Sequence, residues 1–407
     1  MRFRLHSIPA LMIVLLLTSL AFGQQAPPPT QPTAPAAGQS SGQEEQNAPP
    51  AKAGMQEAAP APIEPVLSGP YPVMSKAAED RGRQVFEMWY RSQSGQIWAI
   101  LSPGLKHFAG KEEHFVEYNK KLRERMGTES QTVNENIVPY ILAPDTVYTR
   151  VSNFANVRFP VVVSITLNQR GQVDNMTINP SPTVAEGRFA GYSDANKYKL
   201  PFADEWLVYA GGRNSYENGY ALSDDQRFAL DFVYLKNGRM FSGAGGVGSK
   251  ASDYYCFGQP ILAPADGKIT RAEQGYDDNP PGKPSGDPAD GNVVAIYHGN
   301  GESTFINHLK QNSLKVKVGE MVKQGQELAE CGNSGAGPVP HLHLQLQKGA
   351  GNPLPMQFVD YTASGTKVDS GEPKRGQLVK NNPTTAASNP ATGMSATPAT
   401  KETPASK

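Results

Sequence analysis

The chain has 407 residues, and its 38 Lys and Arg balance 38 Asp and Glu, so no whole-chain field exists to recruit nucleic acid or anionic lipid. With 40 glycines, 35 prolines and only 38% apolar residues, part of the chain cannot bury a core. The two cysteines, Cys256 and Cys331, exclude a disulfide-dense small scaffold and a cysteine-based zinc ribbon; any metal must sit on histidine and carboxylate.

Arg2 and Arg4 precede an apolar stretch, residues 8–22, that closes on Ala21, Phe22 and Gly23. This is the pattern of an export signal removed by a peptidase, so residues 1–23 are expected to be cleaved and the mature protein to be periplasmic or extracellular. The stretch is shorter than the roughly 18 residues of a spanning helix, and no stable membrane anchor is expected. Residues 24–67 are Pro, Ala, Gln and Gly with few aliphatics, the composition of a disordered linker. Residues 362–407 repeat that composition and read as a disordered tail.

Between them, residues 68–185 change character. Val85, Phe86, Met88 and Trp89, then Ile97, Trp98 and Leu101, recur at three- and four-residue spacings and predict two short helices. Phe115, Tyr118 and Leu122 predict a third, with Gly127 as its cap. Stretches 147–151, 158–167 and 173–178 are rich in β-branched residues, and 168–172 reads as a hairpin turn. Helices followed by an antiparallel sheet indicate a small α+β domain, whose pattern resembles the cystatin-like and nuclear-transport-factor-2-like accessory domains. His107 and His114 lie on charged helices and read as solvated surface residues.

Residues 190–361 are short apolar runs divided by Gly, Pro, Asn and Asp, as an antiparallel β domain requires. In the run His341-Leu342-His343-Leu344, residues two apart share a face, so both imidazoles project together while the leucines face the core. The ordered pieces Ala229-Leu230-Asp231-Phe232, Ala263-Pro264-Ala265-Asp266-Gly267, His298-Gly299-Asn300-Gly301, Asn307-His308-Leu309, Gly332-Asn333-Ser334-Gly335 and Pro340-His341-Leu342-His343 resemble the M23 zinc metallopeptidases of the lysostaphin or LytM type. The fold class expected is therefore β-rich: an antiparallel M23-like domain preceded by the small α+β domain.

That resemblance implies a function, a cofactor and roles. It implies hydrolysis of the peptide cross-bridges of bacterial peptidoglycan, with Zn2+ as cofactor and wall peptides as partner. Asp231 and His343 would be zinc ligands, His341 the general base and His308 the stabiliser of the oxyanion. His298 would be structural. The sequence departs from the family at the remaining ligand. The family's histidine, four residues before the Asp, is Arg227 here, and arginine cannot ligate. Related sequences place the histidine after an upstream Asn, where this chain reads Asn218-Gly219-Tyr220. Tyr220, Asn218, Asp224 and Asp225 are the candidate substitutes. A second reading stays open: a degenerate relative without metal that binds wall peptides or activates another cell-wall hydrolase.

Gly243-Ala244-Gly245-Gly246-Val247-Gly248 has the spacing of a dinucleotide-binding turn but no helical period after it, and reads as a loop. Residues 275–290 read as a surface loop on the rim of the groove. Cys256 and Cys331 either form a bridge, as export would permit, or are buried thiols.

Overall fold

Four helices open the structure: α1 (Lys76–Tyr90), α2 (Ser94–Ile100), α3 (Pro103–Ala109) and α4 (Glu112–Met126). The computed structural model describes residues 73–383, except 182–186, 243–247 and 350. The expected signal 1–23, the linker 24–67, most of the glycine string 243–248 and the chain beyond 383 thus lie outside the described residues. Ser75 caps α1, its side chain accepting from the Ala78 N–H at 3.1 Å. α3 starts on Ser102 with Pro103 in its first turn. α4 stops at Gly127, whose φ of +75° suits a residue without Cβ.

The strands β1 (Glu129–Pro139), β2 (Thr146–Phe154), β3 (Val161–Leu167) and β4 (Val173–Pro180) form an antiparallel meander in chain order. The helices pack on it through Val85, Phe86, Trp89 and Ile97, against Tyr148, Val163 and Ile165. The helices-then-sheet order matches the sequence reading. Two elements are additional: α3, none of whose residues is buried, and β1, whose sequence is largely polar. His107 and His114 are exposed.

The remainder is β structure: β5 (Trp206–Ala210), β6 (Leu230–Tyr234), β7 (Pro260–Leu262), β8 (Gly267–Glu273), β9 (Asn292–Gly299), β10 (Glu302–Leu309), β11 (Met321–Val322), β12 (Glu327–Glu330), β13 (Leu342–Lys348), β14 (Pro353–Leu354), β15 (Phe358–Ala363), β16 (Thr366–Gly371) and β17 (Leu378–Asn381). The main sheet runs β11-β8-β9-β10-β13-β6-β5-β17-β15-β16, with β14 paired to β13 and a separate β7–β12 ribbon. One side buries Val208, Phe232, Val294, Ile306, Leu342 and Leu344. Glu302 anchors the entry to this core. Its fully buried carboxylate accepts from Tyr192 and Tyr198 hydroxyls, the Ala195 N–H and Asn196 Nδ2, at 2.6–2.8 Å.

The sheet does not end at residue 361, and the expected disorder from 362 is corrected as far as Asn381. Val379 is fully buried, and β17 hydrogen-bonds to β5 through the pairs Leu378–Leu207 and Val379–Trp206. A short strand needs only one or two apolar residues on its inner face, so average composition does not reveal it.

A further cluster joins the two regions. Val138 of β1 packs with Leu207, Val233, Met240, Phe241, Tyr254 and Val339, and Ile141 and Leu142 of the β1–β2 connection lie against them. The Tyr254 hydroxyl donates to the Ile141 carbonyl at 2.9 Å. Cys256 and Cys331 form a disulfide, with Cα atoms 6.0 Å apart and a sequence separation of 75. It ties the approach to β7 to the end of β12.

Candidate metal centre

Three neighbouring strands bring the polar residues together. In β13, Leu342 and Leu344 are fully buried in the core, and the alternation turns His343 to the opposite face. Its register partners are Asp231 on β6 and Asn307 on β10. His341 enters just before the strand, two residues away and on the same side.

His308 arrives by a different device. The pairing of β10 with β9 slips between Ile306 and Leu309, a bulge that leaves Asn307 and His308 out of the ladder. His308 has a φ of +60°, in the left-handed region that non-glycine residues rarely adopt. Its N–H donates to the Asp290 carbonyl at 3.0 Å, which holds this strained turn.

Each imidazole is oriented through Nδ1. His308 Nδ1 lies 2.8 Å from the Ser334 carbonyl, His341 Nδ1 2.8 Å from the Val339 carbonyl, and His343 Nδ1 2.9 Å from Asp231 Oδ1. All three partners are acceptors, so Nδ1 carries the proton and Nε2 presents its lone pair. The turn that supplies Ser334 depends on glycine. A Cβ on Gly332 would lie 2.3 Å from Lys310 N, and Gly335 has a φ of +72°.

The rings of His308 and His341 are 4.9 Å apart, and those of His308 and His343 5.7 Å. Donor atoms of the three imidazoles all lie within 4.8 Å of one another. His341 Nε2 is 3.7 Å from Asp231 Oδ1. Asp231, His308, His341 and His343 are all buried, with His343 only 2% exposed. Burial pushes the Asp231 carboxyl up, but the imidazoles of His341, His343 and His308 outweigh it and hold the group below its ordinary value. Burial, with the neighbouring imidazoles, drives His308 well below the ordinary histidine range and keeps it neutral.

The chemistry of this set fits a zinc ion. Imidazole and carboxylate are zinc donors, and His343 Nε2 is buried with no hydrogen-bond partner among the described residues. A buried lone pair without a partner is costly unless something binds it.

The structure separates the candidates for the missing ligand. Tyr220 sits in a 3₁₀ turn (Gly219–Leu222), edge-on to His343 at 5.1 Å, and donates to Asp231 Oδ2 at 3.0 Å. Burial, then the Asp231 charge, pushes its phenol far above the ordinary value, so it is a proton donor to the carboxylate. Asn218 is corrected. Its side chain caps the turn, accepting from the Tyr220 N–H at 3.0 Å and donating to the Gly212 and Ala229 carbonyls. It is spent on the backbone. Asp224 and Asp225 are exposed on the turn before β6, Asp225 accepting from Ser223 Oγ. His298 is held between the Asp266 carbonyl and Thr304 Oγ1 at 2.7 and 2.9 Å.

Sequence reasoning missed the acceptors that aim the rings. Ser334 and Val339 act through backbone carbonyls, which no residue type announces. The only signal for Ser334 was its place between two glycines.

A buried, preorganised cluster of imidazoles beside a carboxylate has the donor chemistry of a metal centre. Residues 248–355 match Peptidase family M23, a stretch that takes in the three histidines and leaves out Tyr220 and Asp231. The chain is 33% identical over 114 residues to an uncharacterized metalloprotease of Haemophilus influenzae, and 33% over 90 residues to the cell division protein DipM of Caulobacter vibrioides. These stretches cover 28% and 22% of this chain, and 21% and 13% of those proteins. Among solved structures, a zinc-containing peptidase from Vibrio cholerae overlaps at 16% identity with a TM-score of 0.26, covering 52% of this chain and 55% of that one. The catalytic domain of lysostaphin from Staphylococcus simulans overlaps at 19% identity with a TM-score of 0.23, covering 41% and 88%.

Proposed function

We propose that this chain is an exported, zinc-dependent endopeptidase that hydrolyses peptide cross-bridges of bacterial peptidoglycan. The observation that carries the reading is the buried cluster of His308, His341, His343 and Asp231, with its unpartnered His343 Nε2. The family match over 248–355 supports peptidase chemistry. Export is supported by the basic, then apolar, start of the sequence, and the Cys256–Cys331 bridge suits an oxidising compartment.

The residues that would hold the ion are Asp231 and His343, with His341 and His308 beside them left for proton transfer. When bound, zinc polarises the scissile carbonyl and lowers the pKa of water. The chain's own residues do the rest. In the division implied by the resemblance, His341 takes the proton of the attacking water on Nε2 and returns it to the leaving amine; His308, neutral with its Nδ1–H given to the Ser334 carbonyl, would serve the oxyanion only once its Nε2 is protonated. The Ser334 and Val339 carbonyls keep both rings fixed, so little reorganisation accompanies reaction.

The test is zinc content together with release of soluble fragments from purified peptidoglycan. We expect about one zinc per chain, fragment release abolished by a chelator, and at least a hundredfold loss in His343→Ala. A second reading has its own observation: Arg227 stands at one family ligand position, and Tyr220 already donates to Asp231 without a metal. Absence of zinc and of release, with the chain still cosedimenting with peptidoglycan, would replace the enzyme by a binding protein of wall peptides.

A further inference from the structure

The α+β region contains a cavity of about 500 Å³, away from the histidine cluster. Three segments line it and leave it open to solvent on one side: the start of α3 at Ser102–Gly104, the β1–β2 connection at Ala143–Asp145, and the β3–β4 turn with Asp174 beyond it. Two of the three walls are braced by local hydrogen bonds. Ser102 Oγ is engaged by the Leu105 N–H, and Asn168 Oδ1 by the N–H groups of Arg170 and Gln172. Those groups are spent on the backbone.

Asp145 is not. It is only 9% exposed, it lines the cavity, and its carboxylate has no hydrogen bond or ion pair among the described residues. Asp174 stands near it on the rim, so the nearest charge repels it. Burial, and then that charge, pushes the Asp145 carboxyl up to about 6, which leaves it mostly ionised at neutral pH. Arg170 also lines the mouth but is exposed, and no ion pair joins it to either carboxylate among the described residues. A buried carboxylate without a counter-charge is costly, and the cavity in front of it has room for one.

We propose that this cavity is a binding site for a small organic cation carrying a primary ammonium group, which Asp145 receives at the floor and Asp174 at the rim. The volume is many times that of a bare ion, which favours an amine on an organic body. An ammonium has three donors and no acceptor, matching two carboxylates, and the half-buried Gln169 beside them has an amide oxygen able to take the third. The site is separate from the proposed peptidase centre and does not depend on it.

The experiment is calorimetric titration of the full chain with cadaverine and propylamine, against 1,5-pentanediol and calcium chloride as controls. We expect saturable binding of the amines, none of the diol, and at least a tenfold loss of affinity in Asp145→Asn. Asp174→Asn, on the exposed rim, should weaken binding less. Circular dichroism of both variants checks that they are folded. The proposal is overturned if neither amine binds at millimolar concentration, if Asp145→Asn binds as well as the unaltered chain, or if calcium binds in place of the amines.

Discussion

The Tyr220 hydroxyl and His343 Nδ1 between them engage both oxygens of Asp231, one hydrogen bond to each, which leaves each oxygen a further lone pair. Removing one donor leaves a buried oxygen bare. Tyr220→Phe is therefore expected to destabilise the fold by about 1–3 kcal/mol, read as a lower midpoint in urea, and an unchanged midpoint would show that the bond contributes nothing. A second carboxyl makes the stability depend on pH. Asp194 accepts from the Gln357 N–H through Oδ2, but its buried Oδ1 has no partner among the described residues. Burial, with Glu302 and Glu372 adding, pushes it up to about 7. The native state thus holds a proton that the unfolded chain releases near pH 4. Its contribution is fully present below that value and is lost as pH rises through about 7. Asp194→Asn should raise the melting temperature at pH 8 and leave it nearly unchanged at pH 4; equal shifts at both would refute the assignment.

At the scale of elements, β17 is the test case. It pairs with β5 and buries Val379, so a chain stopped after Thr362 leaves the edge of β5 unpaired beside Trp206 and Leu207. Such a truncation is expected to be insoluble or to melt several degrees lower, whereas one stopped after residue 383 should match the full chain. The contrast also shows what a sequence can reveal. The His341–His343 pair and the strands around it were legible because period-two alternation survives in the run Leu342, Leu344, Leu346. The helices of the first region were legible where they bury Val85, Phe86 and Trp89. The polar β1, the wholly unburied α3 and the sparse β17 left no such period. The bulge that aims His308 was illegible for another reason: it exists only in the register between β9 and β10. The engagement of Asn218 with three backbone carbonyls likewise depends on a turn that sequence alone does not define.

For the molecule as a whole, the cluster around Val138, Leu207, Val233 and Val339 makes the α+β region and the large sheet share buried surface. A single cooperative transition is expected in calorimetry, and two resolved transitions would show that the regions unfold independently. The Cys256–Cys331 bridge acts on the unfolded chain instead. Closing a loop of 75 residues restricts that ensemble by about 4 kcal/mol in the chain-entropy picture, so the double Cys→Ala variant should lose stability of that order. Asp231 and His343, finally, are 112 residues apart, and β5 gains its second neighbour only from β17. A ribosome delivers the chain amino end first, so neither the histidine cluster nor the sheet that frames it exists until almost all of the described chain has emerged. Under the proposed function, ion capture is therefore a late event that awaits nearly all of the described chain.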